Sequence, residues 1–485
     1  MLTKNAIRLS VGELGSRVPL LLLELSLARM LGPAVYGIWS ILQTFATYGN
    51  FLHLGVSSSM ARREPGLLER GLDREVAGNR SAAYGFQLLV IGVITILLLA
   101  ISHLHDDALD AIGGVFVVLA LLLVIMGQQF MISTQASALN EYKVLASSIA
   151  RLIYAFSFLA IGLTVVRFEP PLLWLTLGWA VALGIALIVL HFSARGILVM
   201  PRIDFSRTKS MLLDGFPIML QGLLRFVLMS VDKLTVYWWA RPEAVGFYGV
   251  GALAAGVTGL LGSMIARVSL PTLLRLRENS DGFMMIQAEF DRMIVLIQLL
   301  IFSGVLSVCA LAPLLIYFTL PDYEPAMRVV GILAAAGGFA GLAQAMSDVT
   351  MSFGVKAAVL RNTWVTLLLQ VFFLGIAWNA GAGIEGVATS VLIAMSLMSG
   401  RTFWLCMRTI GLARDVARHR LIRLSVRAAI ALTVCFGVLE IQIICIEYLQ
   451  RDIRPVLLAN TFLWLVISTG LMMTLRRLWK GQRAL

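Results

Sequence analysis

Two triplets of polar residues stand inside otherwise apolar stretches: Glu13, Arg17 and Glu24 early in the chain, and Gln221, Arg225 and Asp232 at an offset of 208. On a helix turning about 100° per residue, positions i, i+4 and i+11 fall within about 40° of one another, so each triplet forms one polar stripe on an apolar cylinder. Asp214 joins the second stripe and Lys233 adjoins it. A charge at bilayer depth must face protein or water, and such groups mark ion and substrate paths. The chemistry on offer is therefore the binding of charged cargo or ions. A purely structural alternative pairs Arg17 with Glu13 or Glu24 and Arg225 with Asp232, and leaves Lys233 on a lipid or carbonyl, as glue between helices. Arg151, Arg267, Asp348 and Arg62 are further candidates. Snorkelling to the interface is the competing reading for them, foremost for Arg267 and Arg62.

Constellations for catalysis or metal binding are weak by comparison. His103 and His105 in HLHDDALD, with Asp106, Asp107 and Asp110, have metal-ligand chemistry, but no second cluster completes a shell, and a solvated acidic loop is the expectation. No metal and no organic cofactor is expected. Cys309, Cys406, Cys435 and Cys445 lie in or beside apolar segments without paired spacing, as packed thiols do. His53 is expected to pack against a neighbouring helix, and Glu440 has no obvious partner. Polar connections reach only about twenty residues, which leaves little room for the extramembrane site of a glycan polymerase or ligase.

The elements that must position these residues follow from composition. Of 485 residues 59% are hydrophobic and 14% charged, against roughly a quarter charged in soluble domains. The fold class is an all-α polytopic membrane protein. Runs near the ~20 residues that cross a bilayer recur at 12–31, 37–60, 82–102, 111–133, 147–166, 172–194, 211–239, 246–269, 293–319, 328–352, 362–380, 386–405, 428–449 and 456–475, about fourteen transmembrane helices. The first run carries Arg17 and Glu24 and no small-residue cleavage site, so it is expected to stay as a span and not to be removed as a signal peptide.

Lysine and arginine in short loops are retained in the cytoplasm. With fourteen spans and an internal N-terminus, 27 of them fall in cytoplasmic segments and six in the opposite loops, so both termini are expected in the cytoplasm. The formal net charge of +12 then reports topology and anionic lipid contact, with no call for nucleic acid. Arg29 and Arg401 read as interfacial. The arginines between spans twelve and thirteen, Arg408, Arg414, Arg418, Arg420, Arg423 and Arg427, read either as an amphipathic segment on anionic lipid or as a dock for a cytoplasmic partner.

The chain also reads as duplicated. Pro33-Ala-Val-Tyr-Gly37-Ile-Trp39-Ser aligns without gaps on Pro242-Glu-Ala-Val-Gly246-Phe-Tyr248-Gly at an offset of 209. Each copy reads as a proline that ends one helix, a glycine that lets the next begin close by, and an interfacial aromatic. Both copies begin on the same side, six spans apart, which predicts a parallel repeat. The expected organisation is an N-lobe over 1–209, a C-lobe over 210–409, a central cavity lined by both polar stripes, and a C-terminal helix pair over 410–485.

The run ARMLGPAVYGIWSILQTFATYGNFLHLGVSSSMARREP, followed by VDKLTVYWWARPEAVGFYGVGALAAG, resembles the polysaccharide transport branch of the multidrug/oligosaccharidyl-lipid/polysaccharide (MOP) exporter superfamily, the Wzx-type flippases. In span count and spacing the likeness covers most of the chain; its motifs lie in spans one, two, seven and eight. Arg241 stands where that family commonly has glycine, a departure in the outer turn. The resemblance implies a transporter of the bacterial inner membrane that moves a polyprenyl-diphosphate-linked oligosaccharide, an O-antigen, capsule or exopolysaccharide unit, to the periplasmic leaflet by alternating access. It implies membrane lipids and other polysaccharide-assembly membrane proteins as partners. Guanidinium binds phosphate oxygens in bidentate fashion, which suits Arg17 and Arg225 to a diphosphate. Arg151, Lys233, Arg267 and Arg62 join them as candidate cavity cations. Glu24, Asp232 and Asp348 are the candidates for proton or sodium coupling. A cation-coupled drug exporter of the MATE branch is the nearest alternative, although an arginine in each stripe suits cationic cargo poorly. A membrane-embedded glycan transferase is the alternative from another class, and a peptidoglycan-precursor carrier shares the same charge logic.

Overall fold

The computed structural model describes residues 2–102, 114–194, 197–278 and 283–449. Among the described residues there are thirteen α-helices and no strand. In chain order they are α1 (Leu2–Gly49), α2 (Val56–Glu69), α3 (Asp73–Ser102), α4 (Val115–Asn140), α5 (Val144–Val165), α6 (Pro171–Ser193) and α7 (Phe205–Trp239). They continue with α8 (Pro242–Glu278), α9 (Phe283–Thr319), α10 (Ala326–Ser352), α11 (Lys356–Asn379), α12 (Gly383–Thr409) and α13 (Arg414–Leu449). Among the described residues twelve segments are long and apolar enough to cross a membrane. They cover the first thirteen predicted spans, because α1 holds the first two; the fourteenth, like HLHDDALD, lies outside the described residues.

The repeated turn is built differently from its sequence reading. Inside α1 the backbone breaks at Gly32, whose φ of 70° is left-handed and favours glycine. Pro33 follows as the first residue of the next helical stretch, where its missing N–H is no loss and its fixed φ is pre-set. In the second copy Pro242 likewise opens α8. Each proline thus starts a helix instead of ending one, and in the first copy Gly32, not Gly37, makes the turn. The repeated aromatics are not interfacial either: Trp39 and Tyr248 are both fully buried.

The second predicted span is also broken. After α1 come a 3-10 turn at Asn50–His53 and two left-handed residues, Leu54 and Gly55. A broken helix at depth must have its freed backbone groups satisfied by protein. Gln129 Nε2 on α4 donates to the Gly49 carbonyl at 2.8 Å. His53 turns back onto the break, its Nδ1 accepting the Gly55 N–H at 2.8 Å.

The chain divides into two compact units, Met1–Val227 and Leu228–Leu485, with the division inside α7. In the first unit α5 packs on α1 and α6, and α4 packs on α6. The first half of α7 belongs to this unit: Phe226 meets Tyr48 edge-on at 4.7 Å, and the backbones of Gly215 and Gly55 touch so closely that neither position has room for a Cβ.

In the second unit α10 is buried nearly all round, between α8 and α12. Its Ala/Gly-rich sequence permits this: a Cβ at Gly262 of α8 would stand 2.6 Å from the Gly341 backbone of α10. Small residues let helix backbones approach, the usual means of packing where lipid removes the hydrophobic drive between helices. Thr258 Oγ1 crosses the same seam to the Ala334 carbonyl at 2.7 Å. α13 is fastened to this unit by Arg420–Asp291 at 2.6 Å and Arg328–Glu440 at 3.2 Å. Between these pairs Cys435 and Leu439 pack with Val305, Leu306 and Cys309. Glu440 therefore has a partner that its sequence surroundings did not suggest. All four cysteines are free thiols, three of them buried.

Candidate substrate and coupling residues

In the first unit the polar stripe of α1 separates by depth. Glu24 is 9% exposed and Tyr36 1%. The break at Gly32 folds the chain back so that Tyr36 Oη donates to Glu24 at 3.2 Å and Gln43 Nε2 donates at 2.5 Å. Buried carboxylates need such donors, because an uncompensated charge in a low-dielectric interior is far too costly. Trp39 on this second stretch of α1 packs against Phe158 and Trp179, and Trp179 Nε1 donates to Tyr154 Oη at 2.8 Å. Arg17, two turns earlier, is exposed, and among the described residues nothing is hydrogen-bonded or ion-paired to it. The suggested Arg17–Glu24 glue is replaced by tyrosine and glutamine.

The other cations of this unit divide in the same way. Arg151, half-buried on α5, donates from Nε to Gln135 Oε1 at 3.2 Å. Arg62 is exposed on α2, while its neighbour Arg63 reaches α7 and pairs with Asp214 and with Ser210 Oγ. Asp214 thus serves an interhelical contact with α2.

A buried ion cluster is the feature that sequence reasoning missed. Glu64 on α2 is fully buried and accepts from Arg80 Nε of α3 at 2.9 Å, Ser137 Oγ of α4 at 2.8 Å and Asn140 Nδ2 at 3.0 Å. Arg80 also donates to Glu141 at 2.7 Å, and Glu141 pairs with Lys143 at 2.7 Å. Burial raises the Glu141 carboxyl, but hydrogen bonds from Lys143 and Arg80 outweigh it and hold the group below its ordinary 4.5. The residues were each visible as loop charges; nothing in their spacing joined them.

In the second unit Asp232 is 6% exposed and Tyr248 fully buried, and Tyr248 Oη donates to Asp232 Oδ2 at 2.5 Å. Lys233 beside it is half-buried. The arrangement repeats that of Glu24: the first helix of the copy supplies a buried carboxylate and the helix after the proline supplies a tyrosine hydroxyl. Arg225, two turns before Asp232 as Arg17 is before Glu24, is exposed. Asp348 on α10 accepts from Gln344 Nε2 at 2.6 Å and lines an open cavity of about 390 Å³ with Leu270, Met351 and Ser352. Arg267 is placed only by its backbone in α8, its side chain lying outside the described residues.

Residues 26–325 match the model of a family described as polysaccharide biosynthesis protein. The chain belongs to that family. Among solved structures it is similar to the lipid II flippase MurJ in its inward closed conformation, at 14% identity and a TM-score of 0.69, over 97% of this chain and 99% of that one. It is also similar to an inward-facing MATE-family multidrug resistance transporter of the MOP superfamily, at 15% identity and a TM-score of 0.64, over 83% of this chain and 98% of the other. A third is a MOP superfamily transporter from Pyrococcus furiosus with a binding pocket described as of reverse polarity, at 17% identity and a TM-score of 0.53, over 84% and 97%. No curated protein sequence matches the chain. At such identities the likeness is one of fold. The chain is therefore a multi-span membrane protein of a polysaccharide biosynthesis family, with the fold of the MOP superfamily transporters it resembles.

Proposed function

We propose that this protein is a flippase that carries a polyprenyl-diphosphate-linked oligosaccharide from the cytoplasmic to the periplasmic leaflet of a bacterial inner membrane by alternating access. One observation carries the reading. Each copy of the repeat sets an exposed arginine two turns before a carboxylate that is buried and already served by tyrosine, Arg17 before Glu24 and Arg225 before Asp232. An exposed arginine suits an anionic headgroup, and the guanidinium fork can hold phosphate oxygens in bidentate fashion, which lysine's point charge cannot. The lipid tail stays in the bilayer, so only headgroup and sugars need a wet path. With the cytoplasm negative, outward movement of the diphosphate releases about 2.3 kcal/mol per charge per 100 mV. Glu24 and Asp232, and Asp348 at its cavity, are the groups to which uptake and release of a proton or sodium ion are assigned. Arg151, Lys233, Arg267 and Arg62 are assigned to the cationic lining.

The test is translocation of a fluorescent polyprenyl-diphosphate oligosaccharide in proteoliposomes. Arg17→Ala and Arg225→Ala, present at normal levels in the membrane, are expected to lose at least tenfold in rate. Wild-type rates in both would move the headgroup site elsewhere. The buried carboxylates favour one second reading, a MATE-like antiporter; accumulation of a cationic dye against a proton or sodium gradient, with no flipping of any glycan carrier, would establish it instead.

A further inference from the structure

α13 has two faces by burial. Ala417, Leu424, Cys435, Leu439 and Ile446 are buried, whereas Val416, Val426, Ile430 and Val434 are 45–61% exposed. Arg423 and Arg427 are exposed as well. At about 100° per residue these last six residues fall within an arc of about 100°, opposite the buried face. Two arginines, one turn apart, therefore stand inside an apolar stripe that faces away from the protein.

Neither bulk water nor hydrocarbon suits such a face. Water leaves the four aliphatic side chains uncovered, and hydrocarbon leaves two guanidiniums without an anion. The headgroup boundary of a bilayer suits both. The other arginines nearby show what satisfied partners look like: Arg420 pairs with Asp291 at 2.6 Å and Arg408 donates to the Leu412 carbonyl at 2.9 Å. Among the described residues, the side chains of Arg414, Arg418, Arg423 and Arg427 have no hydrogen bond or ion pair. All four lie in the first half of α13, adding positive charge towards the end where the helix dipole is already positive, an arrangement that an external anion relieves.

We propose that Arg423 and Arg427 form a seat for the phosphate of an anionic phospholipid, with Val426, Ile430 and Val434 against its acyl chains. The two residues stand about 6 Å apart along the helix axis, within reach of one headgroup phosphate for two long side chains. A second copy of this chain, docked face to face about a twofold axis, would bring like charges together. An acidic soluble protein would have to cover an aliphatic stripe that continues into a membrane span. The lipid meets charge and apolar surface at once. The seat does not depend on what the protein transports.

Native mass spectrometry of the full-length protein, released from membranes containing equal phosphatidylglycerol and phosphatidylcholine, tests it. The wild type is expected to retain phosphatidylglycerol selectively. R423Q/R427Q is expected to lower that selectivity on the order of tenfold with an unchanged unfolding temperature in detergent, and R423K/R427K to keep part of it, since lysine holds phosphate as a point charge. R414Q/R418Q removes the same net charge outside the stripe and is expected to have a markedly smaller effect. Equal retention of both lipids by the wild type would overturn the seat and point to an acidic protein partner. An equal loss in R414Q/R418Q would overturn it too, by reducing the preference to net charge.

Discussion

Both carboxylate oxygens of Glu64 accept, from arginine, serine and asparagine, and the residue is fully buried. Removing one partner of such a pair leaves a charge that the interior cannot solvate, at a cost of about 3–5 kcal/mol. Arg80→Ala is therefore expected to lower the unfolding temperature by several degrees in a thermal melt, and Glu64→Gln combined with Arg80→Met to recover part of that loss. A melt of Arg80→Ala that superimposes on the wild type would remove the cluster from the account of stability. Glu141, held below its ordinary 4.5, stabilises the fold fully above that value. Its contribution is lost as pH falls through the lower folded-state value, so acid should weaken this corner below about pH 4.5. The polar stripes of α1 and α7 were legible because their members lie within one helix and one period. The cluster was not, because its arginine stands 16 residues from one carboxylate and 61 from the other.

The seam of α8 and α10 is made by glycine. α10 lies tightly against α8 because Gly259, Gly262, Gly337 and Gly341 let the two backbones touch. Gly341→Val is expected to force α8 and α10 apart and cost at least about 2 kcal/mol, as overpacking does. It should be read as lost folded protein in size-exclusion of the solubilised membrane fraction. Gly32 is a different case. A Cβ there meets nothing, so Gly32→Ala costs only backbone strain, about 1–3 kcal/mol because a φ of 70° with a ψ of 169° is a region essentially reserved to glycine, and Gly32→Asn brings no relief. A Gly32→Ala protein as damaged as Gly341→Val would show that the break tolerates no adjustment. The helices themselves follow from apolar length alone, and the predicted runs coincide with them within several residues at most ends. The interruption at Asn50–Gly55 was invisible because its residues, Asn-Phe-Leu-His-Leu-Gly, keep hydropathy high while two of them turn left-handed.

At the scale of the whole chain, the bias of 27 cytoplasmic to six external cations under the fourteen-span reading is a prediction about orientation. A C-terminal green fluorescent protein fusion should fluoresce and a C-terminal alkaline phosphatase fusion should be inactive; the reverse pattern would invert the topology and with it the proposed direction of transport. Composition and periodicity carried the architecture this far because a bilayer admits few solutions. Which charges are spent on one another was beyond them: Glu440 finds Arg328 across 112 residues, and no periodicity reaches that far.

That last contact has a practical consequence. α13 is pinned at two points and packed between them, so it is a reporter arm for the unit that carries Asp232. The native thiols are buried or half-buried, so a fluorophore attached through Ala413→Cys, at the exposed start of α13, would label one place. Single-molecule energy transfer from there to a dye on the first unit would time the conformational cycle without touching any residue assigned to cargo.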